Sequence, residues 1–170
     1  MAIFFNVDAQ NGVTELVSPL SNINVSSISL TNIQKVSKCK VDLFIENNNK
    51  RIYFLKQVEL PRGVTLKHEI NFNNSTSNLG LYIKLTDGDT FGLTGTIDVT
   101  GTNTNVPGTN TLYLSEVSVG DEVVVSGETR TVAEITSDTA MTVTSAWGSD
   151  LANDTTPDCN PTALVDVILR

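Results

Sequence analysis

The chain has 170 residues, 39% of them hydrophobic and 18% charged, with a net charge of −8 and a pI of about 4.5. That length holds one large or two small domains, and the acidic balance argues against nucleic-acid partners, whose phosphates require clustered Lys and Arg. No run approaches the roughly 18 apolar residues of a membrane-spanning helix, and Met1-Ala2-Ile3-Phe4-Phe5 lacks the basic start and long apolar run of a signal peptide, so folding in the cytoplasm is expected.

Asn, Thr and Ser are abundant, long helical patterns are missing, and Ala, Leu, Lys and Glu never cluster at the 3.6-residue helical period. Short alternating runs between polar turns point to an all-β fold. In chain order, Ala2–Val7 is a first strand-like run, Asn11-Gly12 a turn signal and Val13–Val17 a return run. Residues 1–24 are therefore expected as an extended N-terminal arm that packs on a neighbour, or as an edge hairpin of the same domain. From Val25 the alternation sharpens: Ile28 and Leu30 oppose Ser29 and Thr31, then Val41, Leu43 and Ile45 oppose Lys40 and Asp42. Asn47-Asn48-Asn49 reads as a turn. Arg51–Leu60 is the next strand, ended by Pro61-Arg62-Gly63; Val64–Ile70 follows, and Leu79, Leu81, Ile83 and Leu85 line one face of another. Five or more strands, with turns about every ten residues, suggest an antiparallel β-sandwich, Ig-like or jelly-roll-like.

Gly101–Gly108 reads as a polar loop. Beyond it, Val119–Val143 reads as a β-meander. Val123 and Val125 point one way and Val124 the other; Ser126-Gly127-Glu128 and Ser137-Asp138 are the turns, with Gly127 free to take positive φ. Charge divides the chain: residues 1–88 hold 9 Lys/Arg and 7 Asp/Glu, net +2, and residues 89–170 hold 2 and 12, net −10. Such a step implies two modules with different surroundings.

Two stretches carry a resemblance. Thr94–Trp147, with its Ser118-Val119-Gly120-Asp121 turn, its Gly127-Glu128-Thr129-Arg130-Thr131-Val132 hairpin and Ser137-Asp138-Thr139, resembles a small β-module of tailed-phage structural proteins. Ser27–Asn32, Val41–Ile45, Ile52–Leu66 with Leu60-Pro61-Arg62-Gly63, and the closing Val165–Arg170 are similar to a β-sandwich in small structural proteins of tailed phages, especially marine cyanobacterial and related phages. The resemblance implies a virion protein and brings no catalytic residues. Its strand pattern implies that Leu79–Thr86 pairs with Leu164–Arg170. The expected organisation is thus an arm or edge hairpin over 1–24, a sandwich over 25–88 plus 162–170, and an acidic, small β-barrel-like module over 89–161 inserted in a hairpin. Two tandem domains, with Leu164–Arg170 pairing inside the second, are the alternative.

Chemistry-bearing residues are sparse. His68 is the only histidine, sits between apolar residues on a predicted strand and is expected to face solvent, with no partner for acid–base work. Asp87-Gly88-Asp89 and Asp150, Asp154 and Asp158 lack calcium-loop spacing and read as turn residues. Cys39 and Cys159 make neither a metal spacing nor a disulfide framework; they pair only if the fold brings their Cα atoms within about 7 Å. Trp147 either stacks on a sugar or caps the core of the small module, and capping suits a module short of large apolar residues.

No enzyme, cofactor or metal site is expected. The resemblance implies a non-enzymatic virion structural protein, a decoration or cement protein on the outside of a tailed-phage capsid. The alternatives are a tail, neck or fibre accessory protein and a carbohydrate- or host-surface-binding module; a hydrolase is a distant third. Expected partners are the major capsid protein or other virion proteins, and homo-oligomers, with neither nucleic acid nor membrane. Candidate contacts are Ile3, Phe4, Phe5, Lys35, Lys38, Lys40, Lys50 and Arg51.

Overall fold

The computed structural model describes residues 2–47 and 50–170. Its strands are β1 (Ile3–Asp8), β2 (Val13–Val17), β3 (Asn24–Asn32), β4 (Cys39–Asn47), β5 (Lys50–Leu60), β6 (Thr65–Asn73) and β7 (Gly80–Thr86). Then come β8 (Phe91–Gly92), β9 (Thr96–Val99), β10 (Asn105–Thr109), the one-turn helix α1 (Tyr113–Glu116), β11 (Glu122–Val125), β12 (Glu128–Ser137), β13 (Ala140–Val143), β14 (Leu151–Asp154), β15 (Asp158–Asn160) and β16 (Leu164–Leu169). The chain is all-β and every strand pair is antiparallel. It divides into two compact units, one ending at Asp87 and resuming over Ala163–Arg170, the other spanning Gly88–Thr162.

The first unit has two four-stranded sheets, ordered β1-β16-β3-β6 and β2-β7-β4-β5. Four pairings nest inside one another: β1 with β16, β2 with β7, β3 with β6, and β4 with β5. The chain behaves as one long hairpin folded over itself. Alternate residues of both sheets, including Ile28, Leu30, Val41, Leu43, Leu81, Ile83, Val165 and Val167, fill a single core, as the two-residue period requires. Two buried asparagines tie the connections down. Asn74 donates to the carbonyls of Ser18 (2.6 Å) and Leu79 (3.2 Å) and accepts from the Ile23 amide. Asn32 donates to the carbonyls of Ser37 and Leu60.

Three expectations are corrected. Residues 2–24 form neither a free arm nor a hairpin: β1 and β2 lie in different sheets, because Ile3, Phe5 and Val7 face the core through pairing with β16. Leu79–Thr86 does not pair with Leu164–Arg170; β7 lies between β2 and β4, and β16 between β1 and β3. The Gly88–Thr162 unit therefore interrupts a connection that passes from one sheet to the other, not a hairpin. His68 shares the strand parity of the core residues Ile70 and Phe72 and is half-buried, rather than facing solvent. In the Asn47-Asn48-Asn49 turn, residues 48 and 49 lie outside the described residues.

The second unit is an eight-stranded sheet ordered β14-β9-β10-β13-β12-β11-β15-β8 around its own core of Ile97, Val106, Tyr113, Val123, Val132, Met141 and Trp147. It is not a closed barrel: the end strands β14 and β8 each pair with one neighbour and not with each other, and β8 is two residues long. The expected polar loop contains β10 over Asn105–Thr109, supported by β9 and β13. The meander over β11–β13 has Ser126 and Gly127 both at positive φ in its first turn, 49° and 84°, the twist a two-residue hairpin favours. Asp121 is fully buried. Its carboxylate accepts from the amides of Ser118 (2.8 Å) and Thr162 (2.9 Å), closing the unit near its exit.

Candidate functional site

The most chemically varied surface of the first unit is the outer face of the β2-β7-β4-β5 sheet. In β4, Cys39, Val41, Leu43 and Ile45 point into the core, so Lys40, Asp42, Phe44 and Glu46 point out. Register then sets their neighbours. Phe44 lies opposite Tyr53 on one side and Tyr82 on the other, and Tyr82 lies opposite Glu15. A row Glu15–Tyr82–Phe44–Tyr53 thus crosses all four strands. The adjoining row holds Gly80, Glu46 and Arg51.

Phe44 belongs to the polar face yet is fully buried. The ring of Tyr82 stacks beside it at 5.8 Å and 21°, the ring of Tyr53 tilts against it at 5.4 Å, and the Arg51 guanidinium lies 4.6 Å from its centroid. Lys56 approaches the Tyr53 ring at 5.2 Å. These contacts combine offset aromatic packing and cation–π attraction. Gly80 makes room: a Cβ there would sit 2.5 Å from the Tyr82 hydroxyl and 2.6 Å from its ring. Glu46 fixes Arg51, and its hydrogen bond raises the guanidinium pKa further. Tyr82 donates to Glu15 at 3.3 Å, and partial burial followed by the Glu15 charge pushes its hydroxyl up. The face offers ring surfaces, hydroxyls, carboxylates and cations. That chemistry suits recognition by packing and hydrogen bonding.

The expected contacts do not gather in one place. Lys40 and Arg51 share this sheet face, but the register puts Lys40 beside Glu59 and Arg51 beside Glu46, about 20 Å apart along β4. Lys38 pairs with Glu59 at 2.9 Å. Lys35 and Lys38 lie in the β3–β4 connection, and Lys50 begins β5 opposite Asn47, at the other end of β4. Ile3 and Phe5 pack on the core, while Phe4 is 70% exposed on the other sheet. No joint basic footprint forms from these residues. In the sequence Tyr53 and Tyr82 read as scattered aromatics and Phe44 is not singled out; cross-strand register brings the three together. The available signal was Phe44 itself, an aromatic at a polar parity in Val41-Asp42-Leu43-Phe44-Ile45.

Trp147 is 2% exposed within the second core, with Arg130 5.4 Å over its ring. It caps that core and forms no surface strip. Asp87 accepts the Ala163 amide and Asp150 the Gly101 amide, both at 2.7 Å. Burial pushes Asp154 up, but amides of Thr156 and Ser126 outweigh it and hold the carboxyl below its ordinary value. Among the described residues, no three His, Cys, Asp or Glu side chains converge to hold a metal ion, and no helix is long and apolar enough to cross a membrane. Cys39 and Cys159 are free, each buried in a different core. Comparison with family models, with curated proteins and with solved structures finds no match.

Proposed function

We propose that the chain is a non-enzymatic structural protein of a tailed-phage virion, a decoration or cement protein seated on the outside of the capsid. The observation that carries this reading is the nested strand order, β1-β16-β3-β6 opposite β2-β7-β4-β5. It matches a jelly roll, an architecture common to viral capsid proteins and lectins, and differs from the seven-strand Ig order. Fold alone does not assign function. The resemblance of Thr94–Trp147 and of the sandwich strands to phage structural modules adds to it, as does the placement of charge. The first unit holds 10 Lys/Arg and 8 Asp/Glu, net +2, and the second 1 and 11, net −10. A near-neutral sandwich meets a lattice with little repulsion, while an acidic unit keeps crowded particles apart.

The docking surface in this reading is the Tyr53–Phe44–Tyr82 face with Arg51, which replaces the basic footprint. Tyr and Arg are the residue types that most often carry interface energy, and repetition over a lattice multiplies weak contacts. The major capsid protein is the partner; a tail, neck or fibre protein is the alternative within the same reading. The test is co-sedimentation of the purified chain with particles, using the Arg51→Ala/Tyr53→Ala variant. The expected result is binding weakened roughly tenfold or more. Unchanged binding of the variant sinks the assigned face, and no binding of the parent chain sinks the virion reading.

A second reading, a carbohydrate- or host-surface-binding module, is favoured by the same aromatic row. Its rings suit stacking on a sugar, and Glu15 in the same row and Glu46 in the adjoining one can accept hydrogen bonds from sugar hydroxyls. A glycan array probed with the chain and with the same variant separates the two readings.

A further inference from the structure

Sheet edges present unpaired N–H and C=O groups, and proteins guard them with bulges, charges, short length or proline. The edges of the first unit are β1, β6, β2 and β5. The β2 edge is five residues long and breaks register between Glu15 and Val17. The β5 edge breaks register twice against β4, carries Gln57 at φ 52° and exposes Lys50, Arg51 and Lys56. The β6 edge has a register break opposite Val25–Ser27 and the exposed Lys67–Glu69 pair. In the second unit, β14 is broken between Leu151 and Asp154, and β8 has two residues. Among the described edges, β1 alone combines more than two residues with an unbroken register, and its one charge, Asp8, lies at its end. Its six residues run in unbroken register with β16, from Ile3 opposite Leu169 to Asp8 opposite Leu164. It contains no Lys, Arg or Pro, and Phe4 stands 70% exposed on its outer side.

We propose that β1 is the interface for a second copy of this chain, pairing antiparallel with its counterpart β1 across a two-fold axis normal to the sheet. Two four-stranded sheets then become one of eight strands. The sequence of β1 is self-complementary in this arrangement. Directly opposite residues point to the same side, so core-facing positions must meet core-facing positions. With the axis at Phe5, Phe5 meets Phe5 of the second copy, Ile3 meets Val7, Phe4 meets Asn6 and Asp8 meets Ala2. No like charges face each other, and Phe4 is covered at the seam.

Charge selects the antiparallel direction and the occupant. The Ala9 amide donates to the Ala163 carbonyl at 3.0 Å, so the chain's return from the −10 unit is anchored beside the Asp8 end of β1. Antiparallel pairing places the two anchors about 27 Å apart along the strands, more than three Debye lengths of roughly 8 Å. A parallel pairing would set them side by side. The near-neutral sandwiches can meet while the acidic attachment points stay apart.

The test is sedimentation of the full chain up to about 100 µM. A monomer–dimer equilibrium is expected, with the dissociation constant raised roughly tenfold or more in Phe4→Lys, a substitution at an exposed position. The Phe4→Cys/Asn6→Cys variant should form a covalent dimer under mild oxidation, because positions 4 and 6 face each other twice. A chain that stays monomeric throughout, a dimer indifferent to Phe4→Lys, or a dimer that resists this cross-link overturns the proposal.

Discussion

Phe44→Ala is the sharpest test of the outer-face site. A phenylalanine on the solvent-side parity of a sheet ordinarily contributes little, yet Phe44 is fully buried between Tyr53, Tyr82 and Arg51. Removing a buried ring costs about 3–5 kcal/mol. Within that total, each of the two ring pairs supplies about 0.5–1.5 kcal/mol beyond area burial. The tyrosines can relax into the gap, so a loss near the lower end, about 3 kcal/mol, is expected. Phe44→Leu keeps apolar volume but loses the ring pairs, and should cost about 1–2 kcal/mol. Phe4→Ala, at a 70% exposed position, should stay within about 0.5 kcal/mol. The assay is urea unfolding followed by circular dichroism. Trp147 lies in the other core, so its fluorescence follows that unit separately. A Phe44→Ala loss below about 1 kcal/mol would refute the sealed cluster, because it would price the ring as an ordinary surface residue.

Three further outcomes follow from the same structure. Gly80→Ala should displace the Tyr82 ring, whose hydroxyl lies 2.5 Å from the new Cβ position; an altered Tyr82 ring environment by NMR, with the fold kept, checks it. Asp121→Ala strands the amides of Ser118 and Thr162 and should destabilise the second unit by about 2–4 kcal/mol, read from the Trp147 transition in urea. Burial, then the Asp87 charge, raises the Cys39 thiol to about 11 from its ordinary 9.0. Its contribution to stability is therefore complete below pH 9 and fades as pH rises from 9 to 11. Parent-minus-Cys39→Ser stability across that window should fall, and a flat difference would contradict the buried thiol.

Much of the architecture was legible because period-2 alternation is local. It located β3, β4, β7 and the β11–β13 meander from single runs of residues. What failed was long-range pairing. β1 looks like an arm because its partner, β16, lies about 160 residues away: Asn6 donates to Asp166 at 2.9 Å. Pairing β7 with Leu164–Arg170 rested on the strand pattern that the resemblance implies. The nested order instead gives β7 to β2 and β4. The site failed for the same reason. Tyr53 and Tyr82 are far apart in sequence and meet only because both register with Phe44. The lysines looked like a footprint as a list, but cross-strand geometry placed Glu59 and Glu46 among them.

The most direct test of the virion proposal is a cryo-electron microscopy map of particles purified from cells making the chain. The account predicts density for it repeating over the capsid lattice, with the Tyr53–Phe44–Tyr82 face turned toward the shell. Density confined to a tail, neck or fibre would contradict the capsid assignment, and particles lacking the chain altogether would contradict the virion role.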